Sequence, residues 1–269
     1  MTSVLDEVAP GVLVATSRRE LTTSTVIVTG RSAVLVDPAW DPDELTGLAD
    51  LLDERGLDVA AGVATHAHHD HVLWHPRFGP APRYGSERTV ELAETHRDEL
   101  VRALGPRWPP ELAELVGRLT PLPGSGTALG SGTLPGSGTL PEPEVVPGGE
   151  PVEFVVHDGH APGHTALWLP ARRVLITGDM LSDVELPLPF EPDDVAAYLT
   201  GLDALAPYVA RAAVLVPGHG RPTSSPLARL DPDCRYLSAL QAGRDPDDPR
   251  RANPGMAEVH ARLREITRG

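Results

Sequence analysis

Short β-branched runs separated by turns open the chain. Residues 11–16 (GVLVAT), 24–29 (TSTVIV) and 33–36 (AVLV) read as strands, with Gly30-Arg31-Ser32 as a hairpin turn between the last two. The apolar spacing then becomes helical. Leu45, Leu48, Leu51 and Leu52 share one face of a segment that Asp41 can cap, Pro42 opens, Glu44 completes as a capping box and Gly56 ends. A buried strand is expected at 58–65 (DVAAGVAT). Two helices follow, one from near Ser86 to before Gly105, and one after Pro109-Pro110 carrying Leu112, Leu115, Val116 and Leu119.

Between 124 and 139 this patterning stops. GSGTAL, GSGTLP and GSGT repeat with a period of six and carry no charge. Three copies are too few for a solenoid, so the segment is expected to be a mobile Gly/Ser/Thr/Pro-rich surface insertion, bounded at about 121–141. Strands resume at 152–156, 165–169 and 173–177. A helix from Pro192 to Leu205 turns Val195, Leu199, Leu202 and Leu205 inward, and a last strand at 213–216 runs into Pro217-Gly218-His219-Gly220. Helices near 232–242 and 254–267 start at Asp231-Pro232 and Asn253-Pro254. Strands come first and helices later in each half. That order predicts an α+β fold, a four-layer αββα sandwich, as one domain over 1–269.

The formal net charge is −15 and all 23 basic residues are arginine. An acidic surface repels phosphate backbones, and the missing lysine excludes Schiff-base chemistry and lysine-dependent phosphate loops. Cys234 stands alone, so no internal disulfide and no thiolate-rich zinc site can form. The N-terminal residues lack a basic head with an apolar run, and no stretch reaches the ~20 apolar residues of a membrane span. These features predict a cytoplasmic protein with a small-molecule substrate and neither nucleic acid nor membrane as partner; they do not determine an oligomeric state.

Candidate chemistry is concentrated in Thr65-His66-Ala67-His68-His69-Asp70-His71. In a turn at a strand end, His66 and His68 can point to one centre while Asp70 and His71 point to a neighbouring one. Imidazole with carboxylate suits zinc, iron or manganese, and burying so many polar groups without a metal would be costly. His164 in APGHT, Asp179 in TGDM and His219 in PGHG each follow a strand or open a glycine turn. Taken singly each is an ordinary loop residue; downstream of the histidine cluster they complete a ligand set. His69 is expected to face away. His157 and His160, which flank Asp158-Gly159, read as loop histidines, with a supporting or pocket role left open. Trp74 and His75 are candidates for a pocket wall, and Cys234 reads as core.

With VDPA, THAHHDH, APGHT, TGDM and PGHG in this order, the chain resembles the metallo-β-lactamase fold superfamily over nearly its whole length outside the repeat. The resemblance implies the αββα fold and two divalent metal ions, zinc first, with iron or manganese as alternatives. His66, His68 and His164 would hold one ion; Asp70, His71 and His219 would hold the other; Asp179 would bridge them. Asp37 would support the metal loop by orienting a ligating histidine, with a simple turn aspartate as the competing reading. The implied mechanism is attack by a hydroxide shared between cations about 3.5–4 Å apart, with Asp70 orienting the nucleophile. A hydrolase of a small ester, thioester or lactone is the leading expectation. An iron-dependent persulfide dioxygenase on the same fold and a phosphodiester hydrolase are the alternatives.

Overall fold

Apolar runs that lack strict alternation belong to strands buried on both faces, because each strand then feeds two cores. The computed structural model, which describes residues 4–122, 137–139, 151–189 and 194–267, has this arrangement. The chain runs β1 (Asp6–Ala9), β2 (Val12–Thr16), β3 (Thr23–Thr29), β4 (Ser32–Val36), α1 (Pro42–Glu54), β5 (Asp58–Val63), β6 (Arg83–Gly85), α2 (Glu87–Thr95), α3 (Arg97–Ala103), α4 (Pro110–Ala113) and β7 (Thr120–Pro121). It continues through β8 (Ser137–Thr139), β9 (Glu153–His157), β10 (His164–Leu169), β11 (Val174–Ile176), α5 (Val195–Val209), β12 (Val214–Val216), α6 (Leu227–Gln241) and α7 (Met256–Ile266).

Two sheets result, ordered β1-β2-β3-β4-β5-β6-β7 and β12-β11-β10-β9-β8. In β4, Val34 and Val36 point to the other sheet while Ala33 and Leu35 point to the helices. In β10, Leu167 and Leu169 meet the first sheet while Ala166 and Trp168 meet α5 and its neighbours. The outer cores are closed by Leu45, Leu48 and Leu52 of α1 on one side and by Leu202, Leu205, Leu237 and Leu240 of α5 and α6 on the other. Each fully buried Val or Leu is worth about 1.5–3 kcal/mol. The four layers are therefore helix, sheet, sheet, helix, as the order of elements predicted. Among the described residues no helix is long and apolar enough to cross a membrane.

Several boundaries differ from the sequence reading. The helix expected from Ser86 to Gly105 breaks at His96 into α2 and α3, and α4 is a single turn although Leu112 and Val116 are buried as expected. The helix expected from Pro192 begins at Val195 and continues to Val209. The one expected at 232 begins at Leu227, so Pro232 lies inside α6. Proline needs no N–H bond in a first turn, which made Pro232 look like a start; Pro226 occupies that boundary instead. The short strands β1, β6 and β7 carry too few residues to show a period. In the repeat, Ser137–Thr139 pairs antiparallel with β9 as an edge strand and not as linker, while residues 124–136 lie outside the described residues.

Candidate metal centre

Parallel strands bring their C-terminal ends to one edge of a sheet, and β4–β5 and β11–β12 are parallel pairs. Asp37 after β4, the histidine loop after β5, Asp179 after β11 and His219 after β12 therefore share one edge of the sandwich. Thr165 N–H donates to Thr65 O (2.8 Å) and Thr23 N–H to Gly218 O (2.7 Å), which ties the two sheets together there. Gly218 is required at this join, since a Cβ on it would overlap the Asp179 carboxylate.

Two groups of donor atoms converge at this edge. In the first, His68 Nδ1 lies 3.0 Å from His66 Nε2 and 3.1 Å from His160 Nε2. Asp179 Oδ2 completes it at 3.4 Å from His66 Nε2 and 3.5 Å from His160 Nε2. In the second, Asp70 Oδ2 is 3.4 Å from His71 Nε2 and 3.3 Å from His219 Nε2, and those two nitrogens are 3.3 Å apart. Asp179 reaches both groups, with Oδ1 3.1 Å from His71 Nε2 and Oδ2 3.3 Å from His219 Nε2. Within each group the ligand atoms lie within 4.8 Å of one another, and every member except His68 is buried.

The outward ring nitrogens show which atoms are free to bind. His160 Nδ1 faces Leu188 O (2.8 Å), His219 Nδ1 faces Glu20 O (3.0 Å) and His71 Nδ1 faces Asp37 Oδ2 (2.9 Å). Carbonyl and carboxylate oxygens only accept, so these nitrogens carry the protons and the Nε2 lone pairs point inward. Thr65 donates its hydroxyl to Asp37 Oδ2 (2.6 Å), leaving its oxygen to accept from His66 Nδ1 (3.0 Å). Asp37 also takes the Thr65 N–H at 2.8 Å. Inward-facing lone pairs and carboxylates at such separations fit divalent metal binding. Asp179 Oδ1, buried and facing His71 Nε2 at 3.1 Å without a well-aligned hydrogen bond, fits the same group.

The electrostatics agree. Burial pushes the Asp70 and Asp179 carboxyls up, but His71 and His219 beside both more than reverse this and hold them well below the usual carboxylate range. Burial disfavours charge on His71 and His219 too, yet the Asp179 and Asp70 carboxylates raise both imidazoles well above 6.5. Without a metal, protons on these two rings supply the positive charge that the carboxylates require. Burial pushes His160 down to about 3, partly opposed by Asp179, which leaves it a neutral donor.

Of the residues read from sequence, His66, His68, Asp70, His71, Asp179 and His219 come together, and His164 does not. His164 opens β10, in register with His157 of β9, so strand geometry turns it into the interior. There its Nε2 accepts the Asp179 N–H at 3.2 Å and its ring stacks on His157 at 4.8 Å. His160, on the turn between β9 and β10, takes the place expected for His164. The signal was a second Gly-His pair four residues upstream, Gly159-His160, read as a plain loop. His69 stands outside both groups, edge-on to Trp40 at 5.0 Å. Trp74 is in the core beneath α1 and not in a pocket wall, and His75 caps a short 3-10 turn by accepting the Arg77 N–H (3.3 Å). Cys234 is partly buried against the core beneath α5 and α6. A groove of about 760 Å³ along α6 contains none of the metal-site residues.

Sequence reasoning also missed the loop between β2 and β3. Glu20 and Leu21 are both left-handed (φ 57° and 55°), which aims the Glu20 carbonyl at His219. Thr22 Oγ1 lies 3.3 Å from Asp70 Oδ2. Nothing periodic marks these residues.

Comparison with known proteins places this geometry. The family model of the Metallo-beta-lactamase superfamily matches residues 18–219. A short stretch is 45% identical, over 42 residues, to the probable polyketide biosynthesis zinc-dependent hydrolase BaeB of Bacillus velezensis. That stretch spans 16% of this chain and 17% of the relative. Among solved structures, a metallo-beta-lactamase from Erythrobacter litoralis superposes with a TM-score of 0.61 at 18% identity, covering 87% of this chain and 97% of the other. One from Pontibacter korlensis gives 0.60 at 19% identity, covering 87% and 99%. At such identities the likeness shows the fold alone.

Proposed function

From the premise that this chain belongs to the metallo-β-lactamase superfamily and is a metallo-hydrolase of that family, we propose that it hydrolyses a small ester, thioester or lactone at a dinuclear centre. The observation that carries this reading is Asp179, whose carboxylate faces both donor groups. His66, His68, His160 and Asp179 would hold one ion and Asp70, His71, His219 and Asp179 the other, zinc first. Such a pair supplies an acidified water and polarises an acyl oxygen.

The protein's own groups do the rest. Asp70, ionised at neutral pH because His71 and His219 offset its burial, can only accept hydrogen bonds, so its part is to orient the water. Thr22 beside Asp70 Oδ2, and Asp37 behind His71, hold those side chains in place. The charge of −15 disfavours polyanions, and a small carbonyl substrate avoids that field. The second donor group also favours hydrolysis over the iron oxygenase reading, which needs one ion and oxygen uptake.

The deciding experiment is a turnover screen of protein reconstituted separately with zinc and with iron(II), on activated thioesters, esters and lactones beside a dinucleotide and a persulfide. Carbonyl turnover that disappears in Asp70→Asn is expected. Cleavage of the dinucleotide with every carbonyl compound inert, or oxygen uptake with the persulfide, would overturn the assignment.

A further inference from the structure

The match to the family ends at His219, yet a buried charge beyond it reaches back to the site. Arg250 is 6% exposed and spends its guanidinium on five acceptors. Nε and Nη2 donate to Asp248 Oδ1 (3.0 Å) and Oδ2 (2.8 Å). Nη1 donates to Asp233 Oδ1 (2.6 Å), Ser182 O (3.1 Å) and Glu185 O (2.9 Å). Burial disfavours the charge, and Asp248 and Asp233 more than reverse that. Two neighbours grip the same segment: Asn253 Nδ2 donates to Val184 O (2.6 Å), and Leu186 N–H meets Met256 Sδ (3.2 Å).

The segment held in this way touches the site at two points. Ser182 Oγ donates to the His219 carbonyl (2.8 Å) and accepts from Val184 N–H (3.0 Å) and Glu185 N–H (3.1 Å). Leu188 O accepts the His160 Nδ1 proton (2.8 Å). One irregular segment with no strand or helix of its own thus sets a histidine in each donor group. Its backbone is fixed from outside, by side chains of the C-terminal elements.

We propose that Arg250 is a positioning residue for the metal centre: by clamping residues 182–188 it fixes the orientation of His160 and His219. Removing the clamp loosens the donor geometry of both ions. Partners that touch a ligand directly are typically worth about 10–100-fold in metal affinity. Arg250 acts one step further out, so an effect of about fivefold is expected. The inference rests on the metal reading above.

The test uses the full chain in five forms: wild type, Arg250→Lys, Asn253→Ala, Ser182→Ala and Asn253→Ala with Ser182→Ala. Zinc affinity is read by chelator competition, and amide hydrogen exchange of residues 182–188 is followed in metal-free protein. Arg250→Lys and Asn253→Ala should each exchange faster across this segment and bind zinc about fivefold more weakly. Ser182→Ala should add less on the Asn253→Ala background than alone, because both act through one segment. Zinc affinity within twofold of wild type in folded variants, whether or not exchange quickens, would overturn the proposal. Should Arg250→Lys fail to fold, Asn253→Ala decides by the same criterion. Wild-type protein that binds no zinc would defeat the metal reading and this inference with it, an outcome distinct from variants that bind normally.

Discussion

His160 Nε2 lies 3.1 Å from His68 Nδ1 across 92 residues of chain. His164, which the family resemblance implies, instead accepts the backbone N–H of Asp179. His160→Ala should therefore weaken binding of one ion by more than about 100-fold, beyond the range of supporting residues. His164→Gln should retain both ions, with affinity down by about tenfold and a lower Tm. Elemental analysis after dialysis against a weak chelator separates the two, and equal losses would refute the assignment of His160.

Asp37→Asn isolates a charge with little change in shape. Asp37 is left-handed (φ 48°), a conformation asparagine tolerates. The variant still offers an oxygen to Thr65, but it no longer places a carboxylate on His71 Nδ1. Affinity at the Asp70–His71–His219 group should fall about 10–100-fold, with the other group changed much less. Cobalt titration followed by the d–d spectrum reads the two sites in turn.

Gly218→Ala should lose metal even though the substitution adds one methyl. The new Cβ would overlap Asp179 and crowd the Gly178 backbone, so the shared carboxylate must move. Both ions should bind more weakly and the melting temperature should fall. A variant with wild-type zinc stoichiometry and affinity would show that Asp179 is not shared.

Acid stability offers a separate check through His157, which burial, assisted by His66, pushes from 6.5 down to about 4. A depressed folded pKa stabilises above the unfolded value, and the contribution is lost as pH falls from 6.5 towards 4. The full span is roughly 3 kcal/mol. Urea denaturation of metal-free protein between pH 7 and 4.5 should show a steep loss that is shallower in His157→Gln. His71 and His219, raised by their carboxylates, act in the opposite direction, stabilising below 6.5 and losing this as pH rises. They are common to both proteins, so the difference between the two curves belongs to His157; identical curves would refute the attribution.

The apolar runs at 24–29, 33–36, 165–169 and 213–216 were enough to order strands and helices into four layers, because burial on both faces leaves an unbroken aliphatic signature. The capping pattern of Asp41, Pro42 and Glu44 placed α1 for the same local reason: Glu44 accepts the Asp41 N–H at 3.2 Å. His66, His68, Asp70 and His71 were legible because a single loop carries them. Only the tertiary structure shows that His160, and not His164, lies in the donor group. The choice depends on where β10 begins, and pairing with β9 sets that point, not any property of the Gly-His dipeptides themselves. It alone also brought Glu20, Thr22, Leu188 and Arg250 into the support of the centre. Their contribution is a carbonyl, a hydroxyl or a buried charge placed by distant contacts, and sequence spacing carries no record of a contact that the chain makes only once it has folded.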